Sequence, residues 1–454
     1  MTLSHARFWL VLACLASLGA PALAGAQETV LLYDRHTQVV KHGPTGQIAG
    51  VDTSSAEILV ILGEQRLVVR EPDRECVYDF LRRRVRIVNS ESMTFADWSL
   101  FGLVAFNDLE LASRLKTPPK APRPSVRQLE ALFSMPAAVK PSPKESLVDS
   151  SRGNSVDVLI NGIPFTHATF SATALPPSQA RTFERFLLYN FRLHPTARRA
   201  VMRPGRVPAT LFFRTIDANE ETIISWHLKK ATTTPQVNDP TRGLPRQDIS
   251  DKEYAQLAGR LNHSREMNVD TSRARRGAQS EAFEAHALQE GKVLDAALAR
   301  LSRDMEGCYT GSLAGWPAEL RSKASSDSTF LMCLEASDTL SAARARRLLP
   351  RLMRIDPKSI ARPDVVGLLV GRTQIASGDV EHGTSQLVQD LGKNPCATQA
   401  WMDLGQAYFQ TYQPVLAWLC FDVAHEVAPP GCRWLEPSAK LEADLLKRRP
   451  EFFE

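Results

Sequence analysis

The sequence predicts an α+β chain, with an N-terminal antiparallel β-sheet module carrying helices and a C-terminal all-α helical solenoid. Three observations carry that expectation. Apolar and polar residues alternate in short runs between residues 28 and 232, two stretches at 117–146 and 233–250 break the pattern, and beyond residue 250 helical spacing replaces strand spacing. A length of 454 residues exceeds what one compact core holds. With 43% hydrophobic and 23% charged residues the composition is globular rather than disordered. A net charge of +5 excludes no partner and is too small to argue for nucleic acid.

Residues 1–26 read as a signal peptide. Arg7 precedes an apolar run from Phe8 to Leu18, and Ala22-Leu23-Ala24 and Ala24-Gly25-Ala26 both fit the small-residue cleavage pattern. The run is short for a bilayer span, so the expected location is exported: periplasmic, or alternatively secreted. Apart from Cys14, the cysteines are Cys76, Cys308, Cys333, Cys396, Cys420 and Cys432. An exported chain permits disulfides, but sequence does not select a pairing. Cys76 stands far from the others and reads as a small buried hydrophobe.

Residues 27–116 read as a β-rich module. Ile58–Leu62 and Arg66–Arg70 flank Gly63-Glu64-Gln65 as a hairpin, and "CVYDFLRRRVRIVN" repeats the scheme. The following "FADWSLFGLVAFNDLELASRL" is more helical in spacing and would lie against one face of that sheet. Seven prolines between 117 and 146 mark a linker or insert around one short helix at Val126–Phe133. Residues 147–232 return to α+β pattern, either in the same sheet or in a second one. There, Asn161-Gly162 is a strong hairpin turn, and an amphipathic helix follows with Pro177 near its start and Pro195 after its end. Residues 233–250 read as a second linker and 251–448 as helices.

The helical part has a register. In "WMDLGQAYFQTYQPVLAWLCFDVAHEVAPP", Trp401, Leu404, Gly405, Tyr408, Ala417, Phe421, Ala424 and Pro429 fall at the eight signature positions of a 34-residue unit. Small Gly405 and Ala417 suit a close helix crossing, the aromatic residues fill the seam, and Pro429 stops the second helix. Gly371, Gly378, Gly383, Leu387 and Pro395 repeat the register one unit earlier without the large aromatics, and Cys333, Ala345, Leu349 and Pro357 repeat it once more. Pro350 breaks that third unit and predicts a kink. This region, about 326–430, resembles the tetratricopeptide repeat family.

The resemblance implies a concave surface, lined by first helices, that holds a protein or peptide partner. By position the lining residues are Val365, Leu368, Arg372, Ile375, Gln399, Met402, Gln406, Phe409 and Gln410. The competing expectation is that another part of the chain, such as residues 435–454 or the sheet module, covers this surface.

Catalytic motifs are missing from the sequence. No H-E-x-x-H, G-x-S-x-G or G-x-x-x-x-G-K-[ST] occurs, and the ten histidines form no local pair with metal-ligand spacing. The expectation is therefore a non-enzyme with no catalytic residues, metal or cofactor. Between Arg181 and Arg206 seven arginines face one acid, Glu184. Arg181, Arg185, Arg192, Arg198 and Arg199 are candidates for peripheral contact with a membrane or anionic envelope material, against the plainer reading of a solvated helix face.

Two functions follow as expectations. The first is an exported interaction scaffold or adaptor working through the repeat groove. The alternative is an envelope carrier for a lipid or other hydrophobic ligand, held between the sheet and the helix at 178–193. That arrangement would look like the half-barrels of envelope lipoprotein carriers in strand order.

Overall fold

The alternation in "ILVILGEQRLVVR" forms a hairpin of β2 (Ile48–Leu62) and β3 (Arg66–Arg70), closed by the Gly63 N–H donating to the Arg66 carbonyl at 2.8 Å. The computed structural model describes residues 27–43, 47–116, 124–217, 220–235, 237–268, 270–308, 313–338 and 340–453. The predicted signal peptide lies outside the described residues.

The remaining strands are β1 (Gln27–His42), β4 (Arg74–Asp79), β5 (Arg84–Asn89), β6 (Thr94–Ser99), β7 (Leu147–Arg152), β8 (Ser155–Ile160), β9 (Ile163–Ala174), β10 (Arg206–Asp217) and β11 (Glu220–Pro235). All belong to one 11-stranded sheet of order β6-β5-β4-β3-β2-β1-β11-β10-β9-β8-β7, antiparallel at every pairing. The question of one sheet or two is settled by β1, which pairs with β11 from Gln27↔Pro235 to Lys41↔Glu220. The proline-rich stretch is thus an insert within a single sheet. At the Asn161-Gly162 turn both residues take positive φ, 54° and 78°, as a two-residue hairpin requires.

Three sequence expectations need correction. Thr94–Ser99 is strand β6 and not helix; α1 (Leu100–Lys116) begins only after it. Pro195 does not merely follow a helix: it opens a new one, α4 (Pro195–Met202), where its missing N–H costs nothing. The second linker is partly ordered against the sheet edge, where the Phe95 N–H donates to Pro245 O at 3.0 Å and the Gln247 N–H to Phe95 O at 2.7 Å.

Helices α1, α2 (Val126–Phe133), α3 (Pro177–Asn190) and α4 cover one face of the sheet. Helix α2 starts in a capping box between Ser125 and Gln128. Leu31, Ile58, Val60 and Trp226 of the sheet share one core with Leu100, Val104, Phe183 and Phe186 of these helices.

The helical part consists of α5 (Ala255–Met267), α6 (Asp270–Gln289), α7 (Val293–Gly307), α8 (Ala318–Ala324), α9 (Ser328–Ser337), α10 (Ala342–Leu352), α11 (Pro363–Ser377), α12 (Val380–Asp390), α13 (Thr398–Gln410), α14 (Pro414–Val427) and α15 (Glu436–Arg448). Consecutive helices pair: α6 with α7, α11 with α12, and α13 with α14. A Cβ on Gly405 would lie 2.4 Å from Phe421 Cε1, and one on Gly383 would lie 2.7 Å from Gly371 O. Only glycine permits these crossings. Helix α10 carries Pro350 inside it and runs on to Leu352.

The sheet and the helices share their core. Helix α14 packs on α1 and β6, with the Trp418 ring 6.4 Å from that of Phe101. Gly102 sits where a Cβ would already touch Trp418 and Pro414 at 3.4 Å. Among the described residues no helix is long and apolar enough to cross a membrane.

Candidate functional site

The predicted repeat groove is filled by the chain itself. Helix α7 lies against α9, α11 and α13, and its Leu298, Leu301 and Met305 share a core with Val365, Leu368 and Met402. Polar ties fix it there: Asn394 Nδ2 donates to Ser302 Oγ at 2.9 Å, and Thr398 Oγ1 to Glu306 O at 3.3 Å. At its end Cys308 forms a disulfide with Cys432, closing a separation of 124 residues. The next residues, Arg433–Leu435, form a short 3-10 helix that packs on α13.

The nine groove candidates therefore divide. Val365, Leu368, Gln399 and Met402 are buried, at 0%, 1%, 2% and 2% exposure. Gln399 donates to Ser337 O at 3.2 Å. Arg372 is engaged within the chain, donating to the same carbonyl at 2.5 Å, lying 3.4 Å from Asp403 and 5.8 Å from the Trp434 ring. Ile375, Gln406 and Phe409 are half-buried, and Gln410 alone is exposed. Most of this surface is buried within the chain, chiefly by α7 and not by residues 435–454 or the sheet module, the segments the sequence suggested.

The arginine cluster divides as well. Arg185 turns inward at 4% exposure, stacks 4.4 Å over the Phe80 ring and donates to Phe453 O at 3.2 Å. Arg198, at 5% exposure, donates to Ser134 O at 3.4 Å and lies 3.5 Å from Glu184. Burial lowers the pKa of both guanidinium groups. These two correct the expectation of anionic contact: they bind the fold. Arg181, Arg192 and Arg199 remain exposed.

Arg192 stands at the mouth of a cavity of about 370 Å³ between α1, the end of α2, the end of α3 and the end of β10. Helical spacing puts Phe106, Glu110 and Arg114 of α1 on its wall; Leu132, Phe133, Leu188, Tyr189 and Phe191 supply apolar atoms, but with Asn107, Ser134, Asn190, Arg192 and Asp217 the lining is more polar than apolar. Phe106 is 45% exposed there. Arg114 is spoken for: it pairs with Asp217 at 2.6 Å and Glu110 at 3.5 Å, over the Phe133 ring at 5.4 Å. Arg192 forms no ion pair among the described residues and is exposed.

The wall is held from behind by a buried polar knot. Ser134, with left-handed φ of 55°, donates its hydroxyl to Phe191 O at 2.8 Å and accepts the Leu193 N–H at 3.2 Å. Glu130 meets His194 at 3.0 Å and accepts the Ala137 N–H at 2.9 Å. Burial opposes its ionisation, yet the His194 and Ala137 hydrogen bonds and the Arg127 charge hold its carboxyl below the usual range.

Beneath Phe191 an aromatic layer joins this cavity to the sheet. The Trp226 ring lies 4.8 Å from Phe191, 5.7 Å from Phe186 and 5.5 Å from Tyr33. Trp226 is 3% exposed, and its indole N–H has no hydrogen-bond partner among the described residues. An unmet buried donor is costly and uncommon. Sequence reasoning missed this layer because Tyr33, Phe186, Phe191 and Trp226 come from β1, α3, the turn after it and β11, and no local motif links them. The one local signal was the run of aromatics in "ERFLLYNF".

Among the described residues no three His, Cys, Asp or Glu side chains gather to hold a metal ion. Cys76 is half-buried, and burial pushes its thiol up to about 11. No protein-family model matches the chain, and a search of curated proteins returns no match.

Proposed function

We propose that this chain is an exported binding protein of the cell envelope that holds an anionic amphiphile in the cavity between α1 and the ends of α2 and α3. The observation that supports this reading is the cavity of mixed polar and aromatic lining with an exposed, unpaired Arg192, one aromatic ring away from a buried Trp226 donor that lacks an acceptor among the described residues. The acidic head of the ligand meets Arg192, and its apolar body lies on Phe106, the one large apolar side chain of the lining that is well exposed. Export rests on residues 1–26 and on the Cys308–Cys432 disulfide, which suits an oxidising compartment.

The repeat half takes a scaffold role in this proposal. Its tetratricopeptide-like register builds the helix pairs that α7 and the sheet module occupy. The adaptor reading retains only Gln406, Phe409, Gln410 and the edge of Ile375 as reachable surface, too little for a peptide groove.

Titration with 11-(dansylamino)undecanoic acid, an acidic fluorescent amphiphile, tests the site. Binding that weakens about tenfold in Arg192→Glu, equivalent to about 1.4 kcal/mol, and again in Phe106→Asp supports it. Equal binding by the native chain and both variants removes the cavity from consideration.

A further inference from the structure

The last described residues are bound to the sheet module as a peptide would be. Arg449 forks onto Asp108 of α1 at 2.6 and 2.9 Å and donates to Pro136 O at 2.9 Å, and Arg448 reaches the same carboxylate. Phe452 is 1% exposed and packs on Tyr189 at 5.7 Å, while Phe453 packs on Phe101 at 4.7 Å. Side chains of α3 capture the backbone: Tyr189 OH donates to Phe452 O at 2.8 Å and Arg185 to Phe453 O at 3.2 Å.

The two halves of α3 are anchored differently. Its first half is tied to strand ends, with Gln179 Nε2 donating to Gln27 O and Thr182 Oγ1 to Glu64 O, each at 2.8 Å. Its second half, which carries Phe186 onto Trp226, has its side-chain hydrogen bonds to the backbone of other elements only in this terminal segment, among those described. The docked segment also carries a carboxylate that is not fully hydrogen-bonded, although its charge faces Arg198. Glu451 Oε1 is buried without a hydrogen-bond partner among the described residues, and a buried carboxylate oxygen left unmet opposes docking.

We propose that residues 448–453 form a releasable latch, whose departure lets the second half of α3 lift from Trp226 and opens the aromatic seam. The part of this that concerns ligand access rests on the amphiphile reading above; the latch itself does not. The unmet Glu451 oxygen works against the latch, and the aromatic pair and the Asp108 ion pairs set its grip.

Hydrogen exchange on the full mature chain tests the latch without any ligand. In Phe452→Ala/Phe453→Ala, amides of residues 183–191 exchange at least about tenfold faster, while those of α1 and α14 keep their native rates. Glu451→Gln moves the same amides the other way, slowing them, and decides the matter if the double variant loses its cooperative melt. Unchanged exchange over 183–191 in both variants overturns the latch. Faster exchange accompanied by quicker uptake of 11-(dansylamino)undecanoic acid supports both proposals; faster exchange with no uptake upholds the latch and sinks the ligand class.

Discussion

Arg84 of the sheet and Asp422 of the last helical hairpin, 338 residues apart in sequence, meet at 2.6 Å. Arg84 also holds Asp97 at 3.0 Å, so one guanidinium ties β5, β6 and α14 together. Burial pushes the Asp422 carboxyl up to about 6 even though the Arg84 charge and hydrogen bond pull it down. The same two acids raise the pKa of Arg84 against its own burial. The pair is charged at neutral pH, and either member left alone is a buried charge without its partner.

Truncating Arg84 to Ala should therefore cost about 3–5 kcal/mol of unfolding free energy. Denaturant melts of the variant check this. A loss under about 1 kcal/mol would show that the sheet and the helical half are joined by packing alone.

Asp422 predicts a pH dependence. The folded carboxyl binds its proton more tightly than an unfolded one near 3.8, so the group lowers stability above pH 6. That penalty fades as pH falls from 6 towards 4, by up to about 3 kcal/mol. Asp422→Asn removes the proton uptake, so the difference in stability between native and variant should change across pH 4–6 and be flat from 7 to 8. A difference constant over the whole range would exclude a raised Asp422.

The disulfide makes a separate prediction. Cys308→Ser with Cys432→Ser opens a closed loop of 124 residues, for which loop entropy gives about 4–5 kcal/mol. Calorimetry of the double variant should show a lowered transition, and Cys432–Leu435 should lose exchange protection. Equal melting with and without reductant would contradict the closed strap.

Met402 separates the two readings of the repeat surface. At 2% exposure beneath the chain's own residues, Met402→Glu should destabilise by about 3 kcal/mol or more, while Gln410→Glu should stay within about 0.5 kcal/mol. A stable Met402→Glu variant would restore an open groove.

What the sequence revealed follows the range of the interactions concerned. The β2–β3 hairpin, the Asn161-Gly162 turn and the pairing of α13 with α14 were legible because alternation, turn chemistry and the Gly405–Phe421 crossing are local. Strand β6 was misread because its six residues run straight into the apolar face of α1. The start of α4 was missed because Pro195 can close a helix or open one. The zipper between β1 and β11, the seating of α7 on α11 and α13, and the cysteine pairing join residues far apart in sequence, where no spacing rule reaches. For the same reason Arg185 and Arg198 looked like surface charge: their partners lie on α2's turn and the terminal segment.

Native mass spectrometry of the mature chain, isolated gently from its own cell envelope, tests the central claim most directly. A bound amphiphile adds the mass of one lipid-sized acidic molecule, extractable into organic solvent and much reduced in Arg192→Glu. A bare protein mass accompanied by a stoichiometric polypeptide would contradict it and return the function to the helical half.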